Sequence, residues 1–301
     1  KKRGINYKNI YLAHSYERVT PGNNYLKSIS NSHRVYSGIN KISKNECKNF
    51  LKKFINYKKF PLTELNGTDD TELAKILENS FRTVNIAFIE EWRKFSEYLG
   101  LDLQKIIKSI RLRKTHSNIM MPGLGVGGYC LTKDPKFGEL SSKKIFKKNF
   151  KFPLSNRALI INKQMLDSNK KKLLSYFSKN ILPIKKVLIF GLSYKEDVDD
   201  MRFSPSLQLA KELSKKFKVF YFDPYQKNNI GNIKKISKLK KLREFDAIIF
   251  SVKHKDFKNI TFKNIKIKQN AIVYDSNLVL TSKQINEFKY KKILFKKVGI
   301  N

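Results

Sequence analysis

A single cysteine stands between a run of glycines and an aspartate. Residues 123–135 read GLGVGGYCLTKDP, so Cys130 ends a loop with few side chains and Asp134 follows it by four residues. The other cysteine, Cys47, lies in the first turn of a predicted helix, and two cysteines cannot form a disulfide framework. We interpret Cys47 as a bystander. Because a thiolate is a nucleophile, the setting of Cys130 raises the question of what this thiol reacts with.

A second group of polar residues recurs at helical spacing. At about 100° per residue, Lys75, Asn79 and Arg82 fall on one face of a helix, so the lysine and the amide point to the same place. Such a face is usually solvated, and the spacing by itself assigns it no function.

The helix that carries this face is long and amphipathic. It is predicted from about residue 71 to about residue 99, and Gly100 ends it. We predict that its apolar stripe packs on the same helix of a second subunit, because large aromatic side chains are costly to leave in water. The stripe consists of Leu77, Phe81, Val84, Phe88, Trp92, Phe95 and Leu99.

The remaining segments alternate strands and helices. Residues up to about 66 read as the end of an α/β unit that contains a helix with Ser43 as its N-cap, and helical stretches continue to about residue 180. Residues 186–223 predict a strand, a polar loop, a helix that begins at Ser204 and Pro205, and a second strand. Ligands of open parallel sheets bind at the carboxyl ends of the strands, here near residues 191–202.

Composition and length limit the function classes. The net charge of +38 suggests a nucleic-acid partner, but ten of the 63 basic residues are arginines and the lysines are spread along the chain. There is no zinc-ligand spacing and no nucleic-acid motif, so we expect neither a metal nor a nucleic acid. No apolar run reaches about 18 residues and no leader is present, so we expect no membrane partner and a cytoplasmic location.

Five stretches in order along the chain carry a family resemblance. They are YLAHSYERVTPG (11–22), ELAKILENSFRTVNIAFIEE (72–91), PGLGVGGYCLTKDP (122–135), GLSYKEDVDDMRFSPSLQL (191–209) and DAIIFSVKHKDF (246–257). With these residues the chain resembles the UDP-glucose/GDP-mannose dehydrogenases, which oxidise the C6 alcohol of a nucleotide sugar to a carboxylate with two molecules of NAD. The S-x-E-R-V-x-P-G form resembles the branch that acts on UDP-N-acetylhexosamines.

The resemblance implies a role for each matching polar residue. Cys130 would be the nucleophile that forms a thiohemiacetal and then a thioester. Asp134 would orient water and accept protons, and Glu17 would assist thioester hydrolysis. Lys75 and Asn79 would stabilise the alkoxide and the tetrahedral oxyanion. The implied substrate-binding residues are Arg82, Met121, Pro122, Gly123, Leu124, Gly125, Val126, Gly127, Tyr194 and Lys195.

The same resemblance implies an α/β fold in three parts. Residues 1–66 would end an N-terminal NAD-binding Rossmann domain, and residues 67–183 would form a central all-helical dimerisation and catalytic domain. Residues 184–301 would form a C-terminal Rossmann-like parallel-sheet domain that binds the UDP-sugar, with Arg202 reaching NAD. Family members begin with G-x-G-x-x-G and an active-site threonine, and this chain starts after both. The implied partners are a UDP-sugar, a second copy, and the missing NAD-binding domain in cis or in trans.

The chain departs from the family pattern in three places. Tyr129 replaces a histidine before the cysteine, and LTKDPKF replaces a more apolar run after it. Both changes concern sugar specificity. In YDSNLVL, the basic residue that the family has after the aspartate is missing, and Asn277 and Leu278 lie in its neighbourhood. This change affects a contact to a phosphate or to the cofactor.

Two function classes stay open from the sequence. The chain is either the central and C-terminal part of a nucleotide-sugar dehydrogenase or a non-catalytic fragment that binds a nucleotide sugar or dimerises. The joint presence of all five implied catalytic residues favours the dehydrogenase, because a module without catalysis has no physical need for the whole set.

Overall fold

Hydrophobic strands and amphipathic helices organise the chain into two units. The computed structural model describes residues 10–22 and 24–300. One unit contains the residues up to 80 together with 137–149, and the other contains residues 81–136 and those from 150 onward. The three-part boundaries at residues 66 and 183 stay a prediction.

The first unit contains a small mixed sheet. Strand β2 (Arg34–Gly38) pairs antiparallel with β1 (Ala13–His14) and parallel with β3 (Leu62–Glu64). Helix α1 (Tyr25–Ser30) precedes β2, and α2 (Lys41–Lys52) connects β2 to β3. The sequence predicts the end of an α/β unit here, and the structure forms it with a βαβ crossover from β2 to β3.

The start of α2 differs from the prediction. The N-cap is Asn40, whose side-chain oxygen accepts from the Ser43 backbone N–H at 2.8 Å, so the assignment of Ser43 as the cap is wrong. Asparagine caps a helix as well as serine does, and the helix therefore extends back through Lys41. Cys47 packs against the small core of this unit, and burial raises the pKa of its thiol.

Helices dominate the middle of the chain. Helix α3 (Thr68–Tyr98) begins in the first unit and ends in the second, and Gly100 follows it with φ +73°. Asp102 caps α4 by accepting from two backbone N–H groups. The helices after α3 are α4 (Leu103–Ile110), α5 (Cys130–Lys133), α6 (Pro135–Lys144) and α7 (Pro153–Ser178).

A parallel sheet fills the C-terminal part of the second unit. In the described residues its strand order is β6-β5-β4-β7-β8-β9 and every pair is parallel. The strands are β4 (Lys186–Phe190), β5 (Lys218–Phe222), β6 (Lys234–Lys235), β7 (Ala247–Phe250), β8 (Ile272–Asp275) and β9 (Leu294–Lys297).

The strands β4, β7 and β8 of this sheet are buried almost throughout, and helices cover the sheet. These helices are α8 (Pro205–Ser214), α9 (Lys255–Lys258) and α10 (Ser282–Tyr290). Ser204 caps α8, as the sequence predicts, with its oxygen 3.2 Å from the Leu207 nitrogen. The fold is thus α/β, with a helical central region and a C-terminal Rossmann-like sheet, and this part of the prediction is confirmed. Among the described residues, none of the helices is long and apolar enough to cross a bilayer.

Candidate active site

A cavity opens at the carboxyl edge of the parallel sheet, where the strand order reverses. The chain runs from β4 outward through β5 to β6, and then returns to β7 on the other side of β4. Such a switch point leaves a crevice between loops that turn in opposite directions. The cavity here measures about 400 Å³, and its walls include Met121, Pro122, Gly123, Gly125, Tyr194 and Lys195. Six of the implied substrate-binding residues therefore meet in one place.

Two asparagines hold the glycine loop against the sheet. Asn277 accepts from the Leu124 backbone N–H at 2.9 Å and donates to the Ser251 carbonyl at 2.5 Å. On the other side, Asn169 of α7 donates to the carbonyls of Gly123 and Leu124 at 3.3 and 3.2 Å. Sequence reasoning missed both asparagines. The only signal was that Asn277 stands where the family has a basic residue.

The glycines permit a close approach of two loops. Gly128 has φ +80°, and a Cβ on it would lie 3.0 Å from the Tyr194 ring. Gly191, directly after β4, has φ +87°, and a Cβ there would lie 2.4 Å from the Val252 Cβ. Neither position accommodates a side chain, so Gly128 lets the loop before Cys130 approach Tyr194, and Gly191 lets the end of β4 approach Val252.

Cys130 is exposed and is the first residue of α5. Asp134, one turn later, is buried, donates its backbone N–H to the Cys130 carbonyl at 2.9 Å, and pairs with Lys133 at 3.1 Å. Thr83 of α3 donates to the Leu131 carbonyl at 3.2 Å and so attaches this turn to α3. Burial raises the pKa of the Tyr194 hydroxyl, and electrostatic interaction with Asp200 contributes to the rise.

The first unit brings two other implied catalytic residues together. The Lys75 ammonium donates to the Glu17 carbonyl at 3.2 Å and lies 3.9 Å from the Glu17 carboxylate. Lys75 is half-buried, whereas the Glu17 side chain is 63% exposed. Asn79, one turn after Lys75 on α3, is buried.

A buried histidine orders the loop after β4. His254 accepts from the Asp197 backbone N–H through Nδ1 at 2.9 Å, and its Nε2 lies 3.3 Å from Asp223. Burial alone would raise the pKa of Asp223, but hydrogen bonds from His254 and from the Leu192 and Tyr225 backbones hold it below its ordinary value. The ionised carboxylate thus anchors the loop that carries Tyr194 and Lys195.

Seven of the implied site residues in the second unit do not line the cavity. Arg82 is exposed on α3, and Val126 lines a different cavity beside α7. Arg202 is exposed and forms an ion pair with Asp200 at 2.7 Å. Cys130 and Asp134 are not among its walls, while Leu124 is buried and Gly127 packs on Pro205.

The described residues do not fit a complete dinucleotide site. Residues 123–128 match the G-x-G-x-x-G spacing, but they follow a coil segment, not a strand, and lead into the four-residue α5. A dinucleotide turn needs a strand before the glycines and a longer helix after them. Of the residues that the resemblance implies, Arg202 is the candidate contact to NAD, and no dinucleotide turn accompanies it in the described residues.

A parallel α/β domain, a helical domain and a cavity at the switch point define a Rossmann-like ligand-binding protein. Two models of one family match the chain: the UDP-glucose/GDP-mannose dehydrogenase family central domain over residues 69–164 and its UDP binding domain over residues 188–282. The chain belongs to this family, and the resemblance seen in the sequence is confirmed.

Named relatives agree with this placement. A UDP-N-acetyl-D-mannosamine dehydrogenase of Methanococcus aeolicus is 35% identical over 277 residues, which are 89% of this chain and 59% of the relative. The structure of UDP-D-ManNAc dehydrogenase from Pyrococcus horikoshii aligns with a TM-score of 0.73 at 27% identity, covering 95% of this chain and 64% of that one. An NDP-N-acetyl-D-galactosaminuronic acid dehydrogenase from Methanosarcina mazei aligns with a TM-score of 0.79 at 25% identity, covering 96% and 62%. The chain thus spans about three fifths of the length of these relatives.

Proposed function

We propose that this chain is the substrate-binding and covalent part of a nucleotide-sugar dehydrogenase that oxidises the C6 alcohol of a UDP-sugar to a carboxylate. The observation that carries the proposal is the meeting of the glycine loop before Cys130 with the Tyr194 and Lys195 loop in one cavity. The names of the relatives favour UDP-N-acetyl-D-mannosamine as the sugar nucleotide.

The cavity offers the groups that such a substrate needs. Its volume of about 400 Å³ is in the range of small-molecule pockets. Lys195 and Lys253 both line it and supply positive charge for a diphosphate. The family has a basic residue near the position of Asn277, and this chain does not. Lys253 lines the same cavity as Asn277 and supplies a positive charge there.

The proposed reaction removes two hydrides and adds one water. Oxidation of the alcohol gives an aldehyde, and the Cys130 sulfur adds to its carbonyl carbon to form a thiohemiacetal. Loss of the second hydride gives a thioester, and attack by water breaks the carbon–sulfur bond to release the carboxylate and the thiolate. NAD, when bound, accepts the hydride of each oxidation.

The other residues act on charge and on protons. Asp134, one turn after Cys130, is the proposed group that orients water and accepts protons. Lys75 and Asn79 are proposed to stabilise the alkoxide and the tetrahedral oxyanion, and Glu17 to assist hydrolysis. The contact between Lys75 and Glu17 supports a joint role for these two.

We further propose that a NAD-binding domain joins this chain in cis or in trans. The poor fit of the described residues to a dinucleotide and the greater length of the relatives support this. The same poor fit also favours a second candidate, a fragment that binds a nucleotide sugar without oxidising it.

Replacing the thiol separates the two candidates. In the assembly with the NAD-binding domain, we expect Cys130→Ser to reduce acid formation on the order of 10³-fold or more, because an alcohol is hardly ionised near neutral pH. UDP-sugar affinity should stay within about twofold. The Cys47→Ser variant is the matched control and should retain full turnover. A Cys130→Ser enzyme that makes the acid at the wild-type rate would refute the covalent mechanism, and a wild-type assembly without turnover would favour the binding fragment.

A further inference from the structure

A second cavity lies at the same carboxyl edge of the parallel sheet. It measures about 770 Å³, and its walls come from α4, α10 and the ends of β8 and β9. Arg111, Met121, Lys253 and Leu278 line both this cavity and the candidate active site, so the two share a wall. Ligands of open parallel sheets bind outside the carboxyl ends of the strands, which makes this position suitable for a second ligand.

The charges around this second cavity are mostly positive. In the described part of the chain, six of its cationic side chains form no ion pair. They are Lys105, Lys108, Arg111, Lys253, Lys289 and Lys296.

The two carboxylates in its walls are already occupied. Asp102 accepts from the backbone N–H groups of Gln104 and Lys105 and pairs with Lys297 at 3.2 Å. Asp275 accepts from the Val279 and Leu280 backbones, each at 2.9 Å. An anion that enters the second cavity therefore meets more positive than negative side chains.

Hydrogen bonds connect α4 to the residues that follow β9 and so join two walls of this cavity. Gln104 donates to the Val298 carbonyl at 2.8 Å, and the Leu103 backbone donates to the Gly299 carbonyl at 3.1 Å. Apolar side chains complete the walls and offer a surface to an organic group. They are Leu280, Ile285, Phe295 and Ile300.

We propose that the second cavity binds an organic phosphate with at least two phosphate groups, beside the site proposed for the UDP-sugar. The lysines and Arg111 contact the phosphates, and the apolar walls hold the organic part. Because both ligands approach Arg111 and Lys253, each lowers the affinity of the other by the same factor. Binding in the second cavity does not depend on whether the chain takes part in an oxidation.

Calorimetry with ATP as the probe tests the site. We expect one ATP per chain, with binding that weakens as salt is added. Saturating UDP should weaken ATP binding by up to about tenfold without abolishing it. The double variant Lys108→Glu/Lys289→Glu should weaken ATP binding at least about tenfold and leave UDP affinity within about twofold, because neither lysine lines the first cavity.

A matched control distinguishes binding in the second cavity from general attraction of ATP to a positively charged protein. Lys216→Glu/Lys218→Glu makes the same charge change at the opposite end of the sheet, where β5 begins, and should leave ATP affinity within about twofold. Equal weakening in this control, the absence of saturable ATP binding, or complete displacement by UDP would overturn the proposal. Inorganic triphosphate that binds as tightly as ATP would overturn its organic part. UDP binding is measured in a separate titration. If UDP does not bind, the proposed function fails, and the ATP titration still tests the second cavity.

Discussion

At the scale of single residues, the proposed function depends on the Cys130 thiol and on a cation and an amide that α3 supplies. Cys130 follows glycines that leave no room for side chains, so the polypeptide backbone itself comes close to the neighbouring loop. Lys75 is held by Glu17, and Asn79 is buried one turn away on the same helix. A buried amide with hydrogen-bond donors is well suited to an oxyanion.

Alanine variants of Lys75 and Asn79 test their proposed role. We expect each to lose about 2 to 4 kcal/mol of transition-state stabilisation, as for removal of an oxyanion donor, with little change in UDP-sugar affinity. The measurement is kcat and KM of the assembly together with the melting temperature of each variant. Lower stability with unchanged turnover per folded molecule would instead assign both residues a structural role.

The loop position depends on Asn277 in a way that can be measured. In Asn277→Ala, the Leu124 N–H and the Ser251 carbonyl lose their partner, and each unsatisfied buried group costs about 1 to 3 kcal/mol. We expect a lower melting temperature and UDP binding that is weaker by about tenfold. Asn264→Ala, at an exposed position, is the control. UDP affinity equal to that of the wild type would show that this contact does not position the loop.

At the scale of elements, the second half of α3 buries a cluster of charged side chains and exposes aromatic ones. In the second unit, Arg93 is buried with Glu90 and Glu97, each 2.6 Å away, and these hydrogen bonds and charges outweigh burial and raise the pKa of Arg93. By contrast, Phe88, Trp92 and Phe95 are each about half exposed. A contiguous aromatic surface of this kind is typical of a protein interface.

We expect the Trp92→Glu variant to be a monomer where the wild type is a dimer. Burial of one such side chain contributes about 1.5 to 3 kcal/mol, and a two-fold interface contains it twice, so the dimer should weaken by about 10² to 10⁴-fold. Analytical ultracentrifugation measures this change. Tyr290→Glu places the same charge at a residue that is 89% exposed and serves as the control. A monomeric wild type with this stripe uncovered or covered only by its own chain would contradict the prediction.

At the scale of the whole molecule, we propose that substrate binding and hydride acceptance belong to different parts. The second unit carries the switch-point cavity, and the described residues fit no complete dinucleotide site. The glycines at residues 123–128 belong to the loop before Cys130 and lead into the four-residue α5, not into a longer nucleotide-binding helix.

The chain by itself should therefore bind a UDP-sugar without oxidising it. We expect calorimetry to detect UDP binding that Lys195→Ala weakens about tenfold, because the variant removes a cation from the cavity. Absorbance at the NADH wavelength should not rise when NAD and a UDP-sugar are added. Robust NADH formation by this chain alone would refute the proposal that substrate binding and hydride acceptance belong to different parts.

Patterns that depend on backbone periodicity could be predicted from the sequence. The long helix α3 and its two faces, the cap of α8 at Ser204 and the βαβ order of the C-terminal sheet follow from spacings of two to four residues. The five family stretches likewise identified the family and the candidate Cys130, because short motifs carry their chemistry in adjacent residues.

The tertiary structure decided what depends on residues far apart in the chain. Asn277 and Leu124 are 153 positions apart, and no local pattern shows that an amide would hold the loop in place of a basic residue. The shared wall of the two cavities likewise requires α4 and the ends of β8 and β9 to meet. Hydrogen bonds between distant segments form only when the chain is packed. The sequence therefore determined the kind of chemistry, and the packing determined which side chains surround the candidate site.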